Sequence, residues 1–232
     1  MAELLKTIDW SPMYLSLKTG ILATVLTFFL GIGAASLIMR CNNTVKAILD
    51  GILTLPLVLP PTVAGFLLLL LFSLRRPFGS FLMDSMHLKM VQTWPGCVVA
   101  AFVISFPLMY RNARAAFEQV DPTMIYAGRT LGLTERTIFW KITVPIAAPG
   151  LASGTILSFA RAIGEYGATT MLAGNIQGKT RTVSVAIASE VSAGNWDIAG
   201  FWVLVIVVLS FVIVLSLNII AGKNKLCGSR WS

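Results

Sequence analysis

The stretch DPTMIYAGRTLGLTERTIFWKITVP, Asp121 to Pro145, decides how this chain is organised. Asp121 followed by Pro122 is a helix start, an N-cap acid with a proline at the first helical position. A short helix is expected over Thr123 to Leu131, ended by Gly132 in the left-handed conformation. A second helical stretch runs from Thr134 to about Thr143 and places Ile138, Phe139 and Ile142 on one face. Pro145 is expected to break the geometry there. Helix, glycine bend, helix and proline make a compact exposed knob. It belongs to a polar connection of about 115–144, far longer than the roughly 2–8 residues that join simple helix pairs. A long structured connection implies a partner or a function.

On both sides of the knob the chain is too apolar for water. Of 232 residues, 56% are hydrophobic and 12% charged, and the mean hydropathy is +0.80. A water-soluble domain carries roughly a quarter of its residues as charges. Disorder, collagen and a disulfide-stapled secreted domain are excluded on the same grounds. A spanning helix needs roughly 20 mostly apolar residues. Windows between charges give about five spans, near 15–39, 51–74, 90–113, 145–172 and 198–222. The fourth continues past Arg161 and Glu165 towards Leu172. Thr182 to Val191 is apolar but too short to cross, and reads as a re-entrant or interfacial helix. The fold class is all-α integral membrane, a single transmembrane domain over 1–232 with the knob as its loop.

Five spans place the termini on opposite sides, and loop charge chooses the orientation. Arg40, Lys46, Arg111, Arg114, Arg129, Arg136, Lys141, Lys223, Lys225 and Arg230 fall on the side of the knob; Lys6, Lys18, Arg75, Arg76, Lys89, Lys179 and Arg181 fall on the other. The bias puts the knob and the C-terminus in the cytoplasm and the N-terminus outside, with Arg75-Arg76 running against it. The net charge of +8 then reports topology and lipid headgroups, with no nucleic acid partner. Cys41, Cys97 and Cys227 lie far apart and form neither a zinc set nor a disulfide framework. One histidine, His87, leaves little room for a metal site or a catalytic triad. The N-terminus lacks the basic start and small-residue cleavage site of a signal peptide.

The knob resembles the cytoplasmic loop of ABC importer permeases, whose pattern is E-A-A-x3-G-x9-I-x-L-P. Ala127, Gly132, Ile142 and Pro145 fall in register, with Val144 at the Leu position. Tyr126 stands where the family has Glu, and Gly128 where it has the second Ala. Three further segments resemble the molybdate-type permeases of that family, with sulfate, thiosulfate and tungstate permeases as close neighbours. They are Leu55-Pro56-Leu57-Val58-Leu59-Pro60-Pro61-Thr62, then Ser105-Phe106-Pro107-Leu108-Met109 with Arg111 and Arg114, then Phe159 to Thr169 followed by Gly174-Asn175-Ile176 and Thr180-Arg181-Thr182. The resemblance covers about Met13 to Gly222. It implies a homodimer around one path, two cytoplasmic ATPases that hold ATP and magnesium, and an extracytoplasmic oxyanion-binding protein. It also implies that Asp121, Tyr126, Ala127, Gly128, Arg129, Leu131, Gly132, Phe139, Ile142 and Pro145 form the ATPase-coupling loop. No cofactor is expected on this chain itself.

Other residues are candidates for the path or its gate. Arg161 and Glu165 sit inside an apolar span, where charge is expensive, and four residues apart they share a helix face. Arg161 lies roughly 24 Å along a helix from Pro145, in the outer half. A gate element and a structural ion pair both fit. Pro60, Pro61 and Thr62 break the second span, beside a path or as a kink. Lys179 and Arg181 either focus an anion at the mouth or form a solvated loop face. The run Gly174 to Thr180 nearly spells a phosphate-binding loop but has three residues between its glycines where four are needed, and no preceding strand. Any nucleotide hydrolysis then belongs to another chain. An integral-membrane enzyme lacks convergent catalytic groups here; a scaffold without transport is the remaining reading of another class.

Overall fold

In a membrane, the largest apolar side chains face lipid and small ones let helices approach. The computed structural model describes residues 9–228, with side chains to Leu215, and it follows that rule. Helix α1 (Ser11–Ile38) starts where the Asp9 carboxylate accepts from the Ser11 amide and hydroxyl, at 2.9 and 2.7 Å. Its inner face is Gly20, Ala23, Thr27, Gly31 and Ala35; Ile21, Val25, Phe29 and Leu30 point out.

Among the described residues, four helices are long and apolar enough to cross a membrane, and one bent pair is so when taken as a single span. The pair is α2 (Asn43–Val58) and α3 (Pro61–Phe72), bent by 111° at the break between them. Two consecutive prolines explain the break. Neither Pro60 nor Pro61 can donate a backbone hydrogen bond, and Pro61 is well placed to open a new helix. Helix α4 (Pro77–Met86) follows, then α5 (Trp94–Glu118), the central element, which reaches further towards the knob than the expected limit of 113. Helix α6 (Pro122–Thr130) and α7 (Glu135–Ile138) form the knob. Helix α8 (Val144–Ile163), short α9 (Gly167–Ala173), α10 (Val183–Ser192) and α11 (Trp196–Gly228) complete the chain. The core is α1, α5 and α8, packed so closely that a Cβ at Gly31 would lie 2.9 Å from Met109 and one at Gly154 2.7 Å from Asn112. Helix α11 sits outside, anchored by buried Ala199 and Trp202 and exposing Leu204, Val207, Val208 and Phe211. The charged tail residues Lys223, Lys225 and Arg230, and Lys6, lie outside the residues whose side chains are described.

Two expectations are corrected. The fourth span does not run on to Leu172: α8 ends at Ile163, and Gly164 to Tyr166 turn the chain into α9. The Glu165 carboxylate accepts from the Ala168 amide at 2.7 Å, so the side chain satisfies the start of a new helix in place of a helical carbonyl. Pro145 does not break the geometry either. A π-turn at Phe139–Thr143, in which the Val144 amide bonds to the Phe139 carbonyl, leads from α7 directly into α8. The wider turn relieves the clash a proline ring makes with the carbonyl four residues back, so the helix passes through it.

Candidate functional site

The knob is stapled by polar contacts and capped by apolar ones. Asp121 accepts from the Thr123 amide at 2.9 Å, and this hydrogen bond holds its carboxyl below the usual carboxylate range. Gly132 has φ +75°, the left-handed region a β-carbon disfavours. The Gly132 and Leu133 amides bond back to the Arg129 and Gly128 carbonyls at 2.9 and 3.1 Å, closing α6. Thr134 caps α7 by accepting from the Thr137 amide at 3.3 Å. Arg129 grips Glu135 across the bend through two contacts of 2.6 and 3.3 Å, and its guanidinium lies 5.7 Å from the Tyr126 ring.

Inward, Phe139 packs edge-on against Phe117 of α5, and Ile138 is buried. Gly128 explains its departure from the family pattern. A Cβ there would lie 3.1 Å from Ile138 and 3.2 Å from Ile142, so glycine lets α6 lie close on the second stretch. Outward, Met124, Tyr126, Leu131 and Trp140 are exposed, Leu131 at 79%. Ala127 and Arg129 are exposed as well. The result is a rigid protrusion tipped with apolar side chains.

The two broken spans meet inside the bundle. The break at Pro60-Pro61-Thr62 faces the break at Gly164 to Gly167. A Cβ on Gly65 would stand 2.6 Å from the Ala168 Cα, and one on Gly167 3.0 Å from Pro61. Ala64, Ala100, Ile104, Ala168 and Leu172 fill the space around this junction. Glu165 is its buried charge, with a side chain 1% exposed; its second oxygen lies 2.8 Å from Arg161, which is 31% exposed, without the alignment of a hydrogen bond. The sequence placed Pro60, Pro61 and Thr62 on one span and Arg161 and Glu165 on another, and the fold brings them to one place.

Lys179 and Arg181 part company. Arg181 is bound to Asn175, Ser189 and Glu190 at 2.8, 3.2 and 3.4 Å, a tie between the outer loop and α10. Lys179 is exposed and makes no such contact among the described residues. Sequence reasoning missed the other charged cluster. Asp50 of α2 accepts from both Tyr110 and Arg114 of α5, while Glu118 takes Arg114 at 2.9 Å and Lys46 at 3.0 Å. In the sequence Asp50 only closes an apolar window. The signal was the cation and phenol that the next span carries near its own end.

Residues 27–222 match the family described as "Binding-protein-dependent transport system inner membrane component". The chain belongs to that family. This permease is 45% identical to the molybdenum transport system permease protein ModB of Escherichia coli K12 over 179 residues, 77% of this chain and 78% of the relative. It is 39% identical to the putative molybdenum transport system permease protein YvgM of Bacillus subtilis, over 88% of this chain and 90% of the relative. It is 31% identical to the sulfate transport system permease protein CysT of Salmonella typhimurium, over 90% and 75%. Among solved structures, the MetNI methionine ABC transporter in inward-facing conformations matches with TM-score 0.74 at 16% identity, over 97% of this chain and 99% of that one. An alginate importer matches with TM-score 0.77 at 16% identity, over 92% and 78%. These two likenesses show the ABC importer permease fold. The permease is thus an all-helical, multi-pass membrane protein of that fold.

Proposed function

We propose that this chain is the membrane-spanning permease of an ATP-driven molybdate importer. The observation that carries the reading is the 45% identity to a molybdenum permease, against 31% to a sulfate permease over a larger share of the chain. Two copies pair around one path, two cytoplasmic ATPases hold and hydrolyse ATP with magnesium, and an extracytoplasmic binding protein delivers the oxyanion to the outer face. The knob and the C-terminus lie in the cytoplasm and the N-terminus outside. Lipid surrounds the bulky apolar faces of α1 and α11.

The knob suits a force-bearing joint. Its exposed Met124, Tyr126, Leu131 and Trp140 offer an apolar tip for a cleft on the ATPase, and the caps and the Arg129–Glu135 staple keep that tip from yielding. Its second stretch runs without interruption into α8, so a displacement of the ATPase is passed to the helix that carries Arg161. At the junction of the broken spans, Arg161 and Glu165 cancel. A near-neutral gate suits a dianion path, because at a buried junction an unpaired arginine, unscreened by water, would hold the substrate it must release. Support for the knob as the ATPase contact comes from this arrangement and is tested by co-purification. Wild-type permease is expected to retain its ATPase through detergent extraction, and Leu131→Asp to lose it while still eluting as folded protein. Undiminished retention by Leu131→Asp would remove the knob from the ATPase contact.

A further inference from the structure

The half of the bundle nearest the knob is cut by a polar trough. One part, about 420 Å³, is lined by Asp50 and Thr54 of α2 with Arg111, Arg114 and Glu118 of α5. The other, about 340 Å³, is lined by Asn112 and Gln119 of α5 with Gly150 and Ser153 of α8. Ala115 lines both, so the two parts are adjacent. Amides, hydroxyls and charges on spanning helices are costly against lipid tails, so this surface faces water or a water-filled path.

The charges in the trough are not equivalent. Arg114 is tied to Asp50 and Glu118, and Lys46 shares Glu118. Arg111 is exposed and makes no hydrogen bond or ion pair among the described residues. We propose that Arg111 is a transit contact for a tetrahedral oxyanion in this trough, with Arg114 held back from the anion by Asp50 and Glu118. One uncompensated cation draws a dianion in, and pairing the second keeps the station weak enough to release it. This inference rests on the reading of the chain as an oxyanion permease. The phosphate of an anionic lipid headgroup shares the chemistry, and the experiment separates the two.

The complete complex is placed in proteoliposomes with Cys41, Cys97 and Cys227 replaced and Ala115→Cys introduced as a reporter. Ser153→Cys on the opposite wall serves if the first variant does not fold. Modification rates are measured for a singly negative and a singly positive thiosulfonate added on the ATPase side. Ala115 is one helical turn from Arg111, about 6 Å, so removing that charge lowers the negative-to-positive rate ratio about tenfold. Arg111→Gln is expected to show this fall, Arg111→Lys to keep the ratio, and molybdate to slow modification only where position 111 is cationic. A reporter that neither reagent reaches, or a ratio unchanged in Arg111→Gln, overturns the proposal.

Lipid identity is varied in parallel. Protection by molybdate in both phosphatidylcholine and phosphatidylglycerol vesicles supports the free oxyanion. A ratio that phosphatidylglycerol alone lowers, with no protection by molybdate, assigns Arg111 to lipid and overturns the proposal. Wild-type molybdate uptake in the same vesicles is the separate check. Its absence counts against the permease reading, whereas uptake without any dependence on Arg111 sinks only the assignment of Arg111.

Discussion

Gly65→Ala is a direct probe of the junction between the two broken spans. The added Cβ would sit 2.6 Å from the Ala168 Cα, 2.9 Å from the Met171 Cβ and 3.1 Å from the Ala168 carbonyl oxygen. Ordinary carbon contacts are about 3.5–4.0 Å, so α3 and α9 must separate by about 1 Å. Two of the three obstructing atoms are backbone and cannot rotate away. Overpacking of this kind costs about 1–3 kcal/mol, and the collision belongs at the upper end. Alanine returns about 1 kcal/mol of helix propensity, leaving a net loss of about 2 kcal/mol. Gly200→Ala is the matched control: it lies in helix α11 with nothing within 4 Å, and only the propensity gain applies. For a chain of this length each 1 kcal/mol moves Tm by roughly 2–4 °C. Thermal unfolding in detergent, followed by tryptophan fluorescence, should therefore fall by about 4–8 °C for Gly65→Ala and rise by about 2–4 °C for Gly200→Ala. A Gly65→Ala protein as stable as wild type would refute the close approach of α3 and α9.

The other expectations are briefer. Gly132→Pro cannot adopt φ +75° and should abolish uptake while the spans still assemble in a size-exclusion profile; intact ATPase docking and uptake would contradict the coupling role. Arg161→Ala leaves the buried Glu165 carboxylate without its cation and should cost about 3 kcal/mol, the low end for half-broken buried pairs because Arg161 is 31% exposed. Glu165→Gln keeps an acceptor for the Ala168 amide and should cost less, so the reverse order in thermal melts would sink the assignment. The Asp121 cap titrates with a lowered folded pKa. Its stabilisation of α6 is complete above the free carboxylate range, near pH 4, and disappears as pH falls through the lower folded value. Protection of the Thr123 amide from hydrogen exchange, taken relative to the intrinsic rate at each pH, should fall at acid pH, and Asp121→Ala should remove that protection and its dependence on this titration.

What could be read from the sequence was set by local chemistry. Asp121-Pro122, Gly132 and the Ile138–Ile142 face specify the knob through capping and periodicity, which need no knowledge of the rest of the chain. The apolar windows likewise mark membrane spans by length alone. Where the spans bend was half legible. Pro60-Pro61 announces a break in its own residues, but the break at Gly164 to Tyr166 depends on one side chain, Glu165, replacing a backbone acceptor. Pro145 misled because the remedy, a π-turn, lies upstream of the proline and carries no composition signal. Contacts between spans were the least legible. Arg181 reads as a mouth charge until Asn175 and Glu190 are seen to hold it, and Asp50 reads as a span boundary until α5 brings Tyr110 and Arg114 against it. Such pairings depend on helix rotation, which a single apolar window does not fix.

The central claim is ATP-driven molybdate transport through this chain. Its most direct measurement is molybdate uptake into proteoliposomes that contain the permease, its ATPase and its binding protein, with sulfate as competitor. The account predicts uptake that requires ATP and binding protein and that excess sulfate leaves largely intact. Uptake of sulfate in preference to molybdate, or no ATP-dependent uptake of either from a complex that has assembled, would contradict it.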